Sequence, residues 1–250
     1  MIFISHLIAD EEIRKITRKY EIGLESIEFS IAENLDDLGP KLCAYKKRIE
    51  NMNVKALTCH GPFLDLNPMS YDRRIQEVTR LRFEQSYEAA KELGAEKIVF
   101  HSGFIPRINY AEGWAQRMAD FFNDFMEKKS GITVCLENVY DPYPELMTEV
   151  IKLVESDEFA LCLDLGHAHC NSDVPVLKWA QAFMPYMAHL HVHDNNTKWD
   201  YHMALGEGTL PLPEILPVIK NAHPGISAVI ENRSAEDVLK SLEVLREYGF

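Results

Sequence analysis

Short apolar runs recur along the chain, and each ends on a polar residue that is followed by a helix-like stretch. A parallel strand buried on both faces reads as a continuous apolar run, so the polar residue at its end is expected where the sheet opens. The runs end at His6, Glu28, His60, His101, Glu137, Asp164, His191 and Glu231. They predict strands at 2–6, 24–29, 54–60, 96–101, 131–137, 159–164, 186–191 and 226–231.

Helical patterns separate these runs. The clearest covers 71–93, with Ser70 as the expected N-cap and Gly94 just past the expected end. Strict alternation of strand and helix predicts a parallel sheet with right-handed crossovers. The remaining helices are predicted near 10–20, 38–51, 110–129, 144–155, 174–183, 211–221 and 234–248.

The alternation favours a single (β/α)₈ TIM barrel, with its site at the C-terminal ends of the strands, over a doubly wound open sheet. No G-x-G-x-x-G follows the first strand, and polar strand ends are not confined to one switch point. The chain of 250 residues has the length of one such barrel and no linker-like tract, so we expect one domain over 1–250. The longest predicted gap, 192–210, has the length of a functional loop.

Composition and charge indicate the compartment in which the protein is expected and the partners that it is not expected to bind. No apolar run approaches the roughly 20 residues that cross a bilayer, and the N-terminus turns acidic too early for a signal peptide. The five cysteines are odd in number and three lie in predicted strands, which predicts a reduced, cytoplasmic protein. The net charge of −13 provides no general attraction for nucleic acid or anionic membrane.

Four predicted strand ends are expected to converge. Side chains alternate along a strand, so Glu137, Asp164, His191 and Glu231 take the last inward positions of strands five to eight. Carboxylates with one imidazole suit Mn²⁺, Mg²⁺, Co²⁺ or Zn²⁺. We therefore predict a divalent metal at this point, with one ion expected and up to three accommodated.

Further metal-binding candidates lie on the same rim. A lone histidine is often a hydrogen-bonded core or surface residue, but this many buried charges without a partner would be unfavourable. His189 is expected in the barrel interior, and His169, His193 and His223 in loops or behind the ligands. The candidates are His60, His101, His167, Asp200 and His202.

These motifs resemble those of the xylose isomerase-like TIM-barrel superfamily, which holds sugar isomerases and epimerases together with the endonuclease IV type of apurinic-site nuclease. The similarity spans nearly the whole chain, in family order. It is carried by HGPFLDLNP (60–68), VFHSG (99–103), LEN (136–138), LDLGHAH (163–169), HLHVHDN (189–195), WDYHMALGEG (199–208) and IEN (230–232).

The resemblance implies metal ligands residue by residue. In the epimerase branch a single ion is held by residues that match Glu137, Asp164, His191 and Glu231. In the nuclease branch two more ions are held. Their matching positions are His60 and His101 with a bridging Glu137 for one, and His167, Asp200 and His202 for the other. The chain lacks the Lys-x-Asp metal element of classical xylose isomerases, so we do not expect one.

For an isomerase or epimerase of a sugar or sugar phosphate, Glu137 and Glu231 are expected to remove and return a proton through a metal-stabilised enediolate. Candidate substrate-binding residues are His6, Glu28, Phe63, Trp199 and Arg233, although ordinary loop packing is the alternative for the aromatic rings. The expected partner is a small carbohydrate, and a homo-oligomer fits because isomerase barrels often pair.

Two alternatives remain open from the residues alone. One is an apurinic-site phosphodiesterase of the endonuclease IV kind, which would need many cations on the rim. The rim instead offers only Arg107, Lys198 and Arg233 among acidic loops, so nucleic acid is not the expected partner. The other is a barrel that binds a metal or a small molecule without catalysis.

Overall fold

The backbone closes into a barrel of eight parallel strands in sequential order, with β1 hydrogen-bonded to both β2 and β8. The computed structural model describes all 250 residues. The (β/α)₈ barrel predicted from the alternation is confirmed. The strands are β1 Ile2–Ser5, β2 Gly23–Ser26, β3 Leu57–His60, β4 Lys97–His101, β5 Thr133–Glu137, β6 Phe159–Asp164, β7 Met187–Val192 and β8 Ser227–Ile230.

Helices surround the strands, and none of them is both long and apolar enough to cross a bilayer. The expected N-cap of the longest helix was wrong, because the Asp72 side chain rather than Ser70 accepts from the backbone N–H of Arg74. Gly94 ends that helix in the left-handed region at φ 72°, as predicted. The helices are α1 Asp10–Lys19, α2 Ala32–Asp36, α3 Leu38–Asn51, α4 Arg73–Leu93, α5 Trp114–Met126, α6 Glu145–Leu153, α7 Leu165–Asn171, α8 Val176–Phe183, α9 Leu212–Ala222 and α10 Ala235–Glu247.

The main core lies between the strands and the helices. Phe83 of α4 stacks on Phe100 of β4 at 4.0 Å between ring centroids, and Phe122 and Phe125 of α5 continue the aromatic layer. The interior of the barrel is filled differently, with the small side chains of Val99 and Cys135 beside polar groups. Polar groups inside the barrel can form polar contacts with the charged side chains at its mouth.

A buried carboxylate forms the polar centre of the barrel. Glu25 of β2 is fully buried, and its Oε2 accepts from Thr58 Oγ1 at 3.0 Å and lies 3.1 Å from His189 Nε2. The other ring nitrogen of His189 lies 2.6 Å from Ser227 Oγ. His189 is thus a hydrogen-bonded interior residue, as the sequence predicted.

Candidate metal centre

Three carboxylates surround one imidazole nitrogen at the C-terminal mouth of the barrel. His191 Nδ1 lies 3.4 Å from Glu137 Oε1, 3.3 Å from Glu231 Oε1 and 4.0 Å from Asp164 Oδ2. All four side chains are buried. Glu231 follows the last residue of β8, and its backbone N–H donates to the Val192 carbonyl at 3.2 Å, which holds it in the barrel. The four residues chosen from strand periodicity therefore do meet.

The proton on His191 decides what this arrangement can bind. Glu25 Oε1 lies 3.1 Å from His191 Nε2, so the ring proton is expected on Nε2, facing that carboxylate. The lone pair of Nδ1 then faces the other carboxylates, which is repulsive unless a cation lies between them. Both nitrogens of His191, Glu25 Oε1 and Asp164 Oδ2 are buried atoms without a hydrogen-bond partner of good geometry. The donor set therefore fits a divalent cation.

Sequence reasoning missed Glu25, which it placed inside an ordinary strand. The available signal was a carboxylate inside the run GLES, three positions before Glu28, where the strand was expected to open. Its partners come from strands distant in sequence, so only the closed barrel reveals its role.

A second group of side chains meets the other face of Glu137. Glu137 Oε2 lies 3.3 Å from His60 Nε2 and 3.5 Å from His101 Nε2. His60 Nδ1 donates to the Gly61 carbonyl at 2.8 Å, which leaves its Nε2 lone pair directed at the carboxylate. The two oxygens of Glu137 thus face two sides, as a bridging ligand requires.

A third group forms where α7 meets the loop after β7. Asp200 Oδ2 lies 3.0 Å from His202 Nε2 and 3.5 Å from His167 Nε2. Backbone carbonyls fix both rings, because His202 Nδ1 lies 2.7 Å from the Glu231 carbonyl and His167 Nδ1 lies 3.1 Å from that of Asn138. Carbonyls only accept, so both Nε2 atoms are free to bind a metal.

The loop after β7 is shaped by one buried carboxylate. Asp194 Oδ2 accepts from the backbone N–H groups of Gly206 and Gly208, and Oδ1 accepts from that of Leu210. A side chain on Gly208 would overlap Asp194 itself. These contacts fold the loop back over the barrel and bring His202 to the rim. His202 itself has left-handed backbone geometry, with a positive φ of 51°.

Asparagines next to two of the candidate glutamates fix the neighbouring strand ends. Asn138 pairs with the Asp164 backbone in both directions, at 2.9 and 3.0 Å. The Asn232 amide donates to the carbonyls of His202 and Met203. The repeated Glu-Asn pair therefore supplies a candidate ligand and the residue that positions the next one.

The electrostatics keep the carboxylates ionised. Burial raises the pKa of Glu137, but the neighbouring imidazoles, His191 foremost, outweigh it and hold the pKa well below the ordinary value. Asp164 is also buried, and His167 and His193 lower its pKa. Burial, more than any neighbouring charge, lowers the pKa of His101 to about 3, so that ring is neutral. Burial opposes protonation of His167 and His191, but the neighbouring negative groups outweigh it and raise the pKa of both rings well above the ordinary value. A metal binds ionised carboxylates and would displace the proton from such a ring.

A cavity of about 850 Å³ opens above these groups, with Glu137, His167 and Glu231 on its floor. Phe63 and Arg233 line it, as expected of substrate-binding residues. Phe63 stacks on the His101 ring at 4.4 Å between centroids. Trp199, another candidate substrate-binding residue, does not line the cavity, and its side chain is 68% exposed.

His6 and Glu28, which were also expected to bind substrate, do not line the cavity. Their strands end earlier than predicted, so both residues lie beside the barrel mouth and not in its cavity. The guanidinium of Arg48 in α3 forms ion pairs with Glu28 at 2.8 Å and with Asp10 at 2.8 Å. His6 lies 3.0 Å from the same Asp10. The group is an ion-pair cluster between α1, α3 and β2.

A buried aspartate holds the loops after β4 and β5. Asp141 Oδ2 accepts from Ser102 Oγ at 2.7 Å and from the Val139 backbone N–H at 3.0 Å. Burial raises the pKa of Asp141 to about 6. The stability that its protonated form contributes is therefore present below the ordinary value of 3.8 and is lost as the pH rises through about 6.

We expect Asp141→Asn to reduce this pH dependence, because the amide keeps an acceptor oxygen without a titrating charge. Between pH 4.5 and 7.5 the free energy of unfolding of the variant should rise relative to wild type by about 2 kcal/mol. Urea unfolding at both pH values measures this difference. A difference that stays constant with pH would show that Asp141 does not titrate as described.

Comparison with known proteins agrees with the geometry. The family model described as xylose isomerase-like TIM barrel matches residues 18–248, and the chain belongs to this family. The uncharacterized protein MJ1311 of Methanocaldococcus jannaschii is 30% identical over 230 residues, which are 87% of this chain and 78% of that protein. A probable endonuclease 4 of Buchnera aphidicola is 24% identical over 235 residues, covering 82% of this chain and 84% of that protein.

Solved structures share the whole fold. A D-tagatose 3-epimerase-like protein superposes with a TM-score of 0.83 at 26% identity, covering 99% of this chain and 96% of that one. The zinc-soaked TTHB071 protein of Thermus thermophilus superposes with a TM-score of 0.80 at 24% identity, covering 99% and 97%. The proteins similar to this chain thus include an epimerase-like protein and a probable endonuclease.

Proposed function

We propose that this protein is a divalent-metal-dependent isomerase or epimerase that acts on a sugar or a sugar phosphate. The observation that carries the proposal is the pair of buried carboxylates at the cavity floor, Glu137 and Glu231, which lie 3.4 and 3.3 Å from His191 Nδ1. The similarity to a D-tagatose 3-epimerase-like protein over nearly the full length supports it.

Glu137, Asp164, His191 and Glu231 would hold the ion. The fit rests on the unpartnered Asp164 Oδ2 and His191 Nδ1 atoms and on a donor set that suits Mn²⁺, Mg²⁺, Co²⁺ or Zn²⁺. When bound, such an ion supplies Lewis-acid polarisation of a carbonyl oxygen and its neighbouring hydroxyl.

The two glutamates would move the proton. They come from β5 and from the end of β8, so a substrate between them meets a carboxylate on each side. One glutamate, as the carboxylate, would take the proton from the carbon next to the carbonyl, and the other, as the carboxylic acid, would give its proton to the enediolate, so the two exchange protonation states in each turnover. Phe63 would cover the apolar face of the sugar, and Arg233 would bind a phosphate if the substrate carries one.

A second candidate function is apurinic-site cleavage. It is favoured by the two additional groups of side chains, the histidines beside Glu137 and the cluster at Asp200. It is also supported by the similarity to a probable endonuclease 4. The net charge of −13 and the small number of rim cations weigh against a DNA partner, so we rank it second.

The test is an exchange screen in D₂O. Protein loaded with Mn²⁺, Co²⁺, Zn²⁺ or Mg²⁺ is incubated with ketoses, ketose phosphates and inososes, beside an abasic oligonucleotide. We expect deuterium at the carbon next to the carbonyl of at least one carbohydrate. Cleavage of the oligonucleotide without exchange would favour the second candidate, and neither activity would indicate a barrel that binds without catalysis.

A further inference from the structure

The cavity above the candidate metal centre extends beyond it to one side of the barrel mouth. Its volume of about 850 Å³ lies near the upper end of the roughly 300–1,000 Å³ that pockets for drug-sized ligands occupy. A monosaccharide is smaller than such a ligand, so a sugar over Glu137 and Glu231 would leave room for a further group. The loops after β2, β3 and β4 and the start of α4 line this additional part of the cavity.

Large apolar side chains cover this part of the cavity. Five side chains without any polar atom line it and are 38% to 70% exposed, and clusters of this kind usually mark a binding surface. Between Pro62 and Ile105, the cavity-lining residues outside the strands include only one charged side chain, that of Asp65. We call the five residues the apolar wall; they are Ile31, Phe63, Leu64, Ile75 and Ile105.

Hydrogen bonds from Asn67 fix the loops that carry the apolar wall. The Asn67 backbone N–H donates to Thr79 Oγ1 of α4 at 3.0 Å, and its side-chain amide donates to the Gly103 carbonyl at 3.3 Å. In the loop after β4, the Ile105 backbone N–H donates to Asn109 Oδ1 at 2.7 Å. These contacts join the loops after β3 and β4 to α4, so the exposed apolar side chains lie on a supported surface.

Phe63 connects the apolar wall to the candidate metal centre. Its ring stacks on the His101 ring at 4.4 Å between centroids, and His101 Nε2 lies 3.5 Å from Glu137 Oε2. The wall therefore begins next to one of the two proposed acid–base groups. Arg233 follows β8, which lies opposite β4 in the closed ring of eight strands. A ligand with its polar end over the glutamates can thus extend away from Arg233 along the wall.

We propose that the apolar wall binds an uncharged alkyl or aryl group that is attached to the carbohydrate substrate. The inference rests on the proposed function and specifies the substrate class of that site as a sugar with an apolar substituent. An anionic group at this end of the ligand would leave water for a surface without a cation to pair with it, which is unfavourable. The wall is continuous with the cavity floor, which favours a ligand over a second protein chain as the group that covers it.

The test measures how affinity depends on the length of an apolar chain. Butyl, pentyl, hexyl and heptyl glucosides are the probes, and isothermal titration calorimetry gives the Kd of each. For the wild type, affinity should rise about three- to fourfold with each added methylene group. Affinities that do not change with chain length, or no binding of the heptyl compound, would overturn the proposal.

The variant Leu64→Ser/Ile105→Ser should lower this gain to less than about twofold per methylene group, because two apolar contacts are lost. Leu153→Ser is the matched control. Leu153 is also an exposed leucine, at the end of α6, but it does not line the cavity. It should keep the gain of the wild type. An equal reduction in both variants would contradict a role for the wall.

Two further measurements address the nature of the group that the wall binds. In the wild type, a glucoside whose hexyl chain ends in a carboxylate should bind at least about tenfold more weakly than hexyl glucoside. Equal binding would contradict a subsite for an uncharged group. Sedimentation velocity tests for a second copy of the chain. A dimer that Leu64→Ser/Ile105→Ser dissociates, with unchanged affinity for the glucosides, would assign the wall to subunit contact and overturn the proposal.

The binding results are independent of the test for catalysis. Chain-length dependence without deuterium exchange in any carbohydrate would retain the apolar subsite and reject the isomerase or epimerase function. Deuterium exchange without chain-length dependence would retain that function and reject the subsite.

Discussion

Glu137→Gln and Glu231→Gln are each expected to lower turnover by about 10²–10⁴-fold while the barrel stays folded. Each substitution keeps the shape of the side chain but removes the base, and both residues lie beside His191 Nδ1 at the cavity floor. Turnover is measured on the carbohydrate that shows exchange in D₂O, and circular dichroism checks the fold.

The control for these variants is Glu28→Gln. Glu28 ends in an ion pair with Arg48 outside the cavity, so its substitution should change turnover by no more than about threefold. Retained activity in both Glu137→Gln and Glu231→Gln would exclude the two-carboxylate mechanism.

Glu25→Gln is expected to lower the affinity of the central site for its metal ion about 10- to 100-fold, although Glu25 is not itself among the proposed ligands. The buried carboxylate lies 3.1 Å from His191 Nε2 and directs the ring proton to that nitrogen. An amide lacks the charge that makes the imidazole a better donor at Nδ1. Competition between the protein and a chromophoric chelator measures the affinity.

Thr58→Val is the matched control for this effect. It removes one hydrogen bond to Glu25 Oε2 but leaves the charge beside His191 in place. We expect Thr58→Val to lower the affinity of the central site for its metal ion much less than Glu25→Gln does. Equal losses in the two variants would indicate that general disruption of the barrel interior, and not the charge on Glu25, lowers the affinity.

The eightfold alternation of apolar runs and helical patterns was enough to predict the barrel. Periodicity within the strands also predicted that Glu137, Asp164 and His191 would meet, because a parallel barrel collects its strand ends on one face. The partners of those residues inside the barrel could not be predicted from the sequence. Glu25 and His189 are far apart in sequence, and only barrel closure brings them to 3.1 Å.

The errors have a common physical source, which is the position of strand ends. β1 ends at Ser5 and β2 ends at Ser26, and Glu28 forms an ion pair with Arg48 from a helix distant in sequence. β7 continues one residue further than expected, to Val192, and the His193 ring that follows lies 3.2 Å from Asp164 Oδ1. Strand ends depend on tertiary contacts that local patterns do not contain, so the residues just past them were the hardest to place.

Anomalous diffraction from crystals grown with Mn²⁺ or Zn²⁺ tests the central claim most directly. A peak is expected between Glu137, Asp164, His191 and Glu231, within bonding distance of His191 Nδ1 and of carboxylate oxygens from the other three. Ordered side chains at this point with no peak, at a metal concentration that saturates the protein in solution, would contradict a metal centre at the mouth of the barrel.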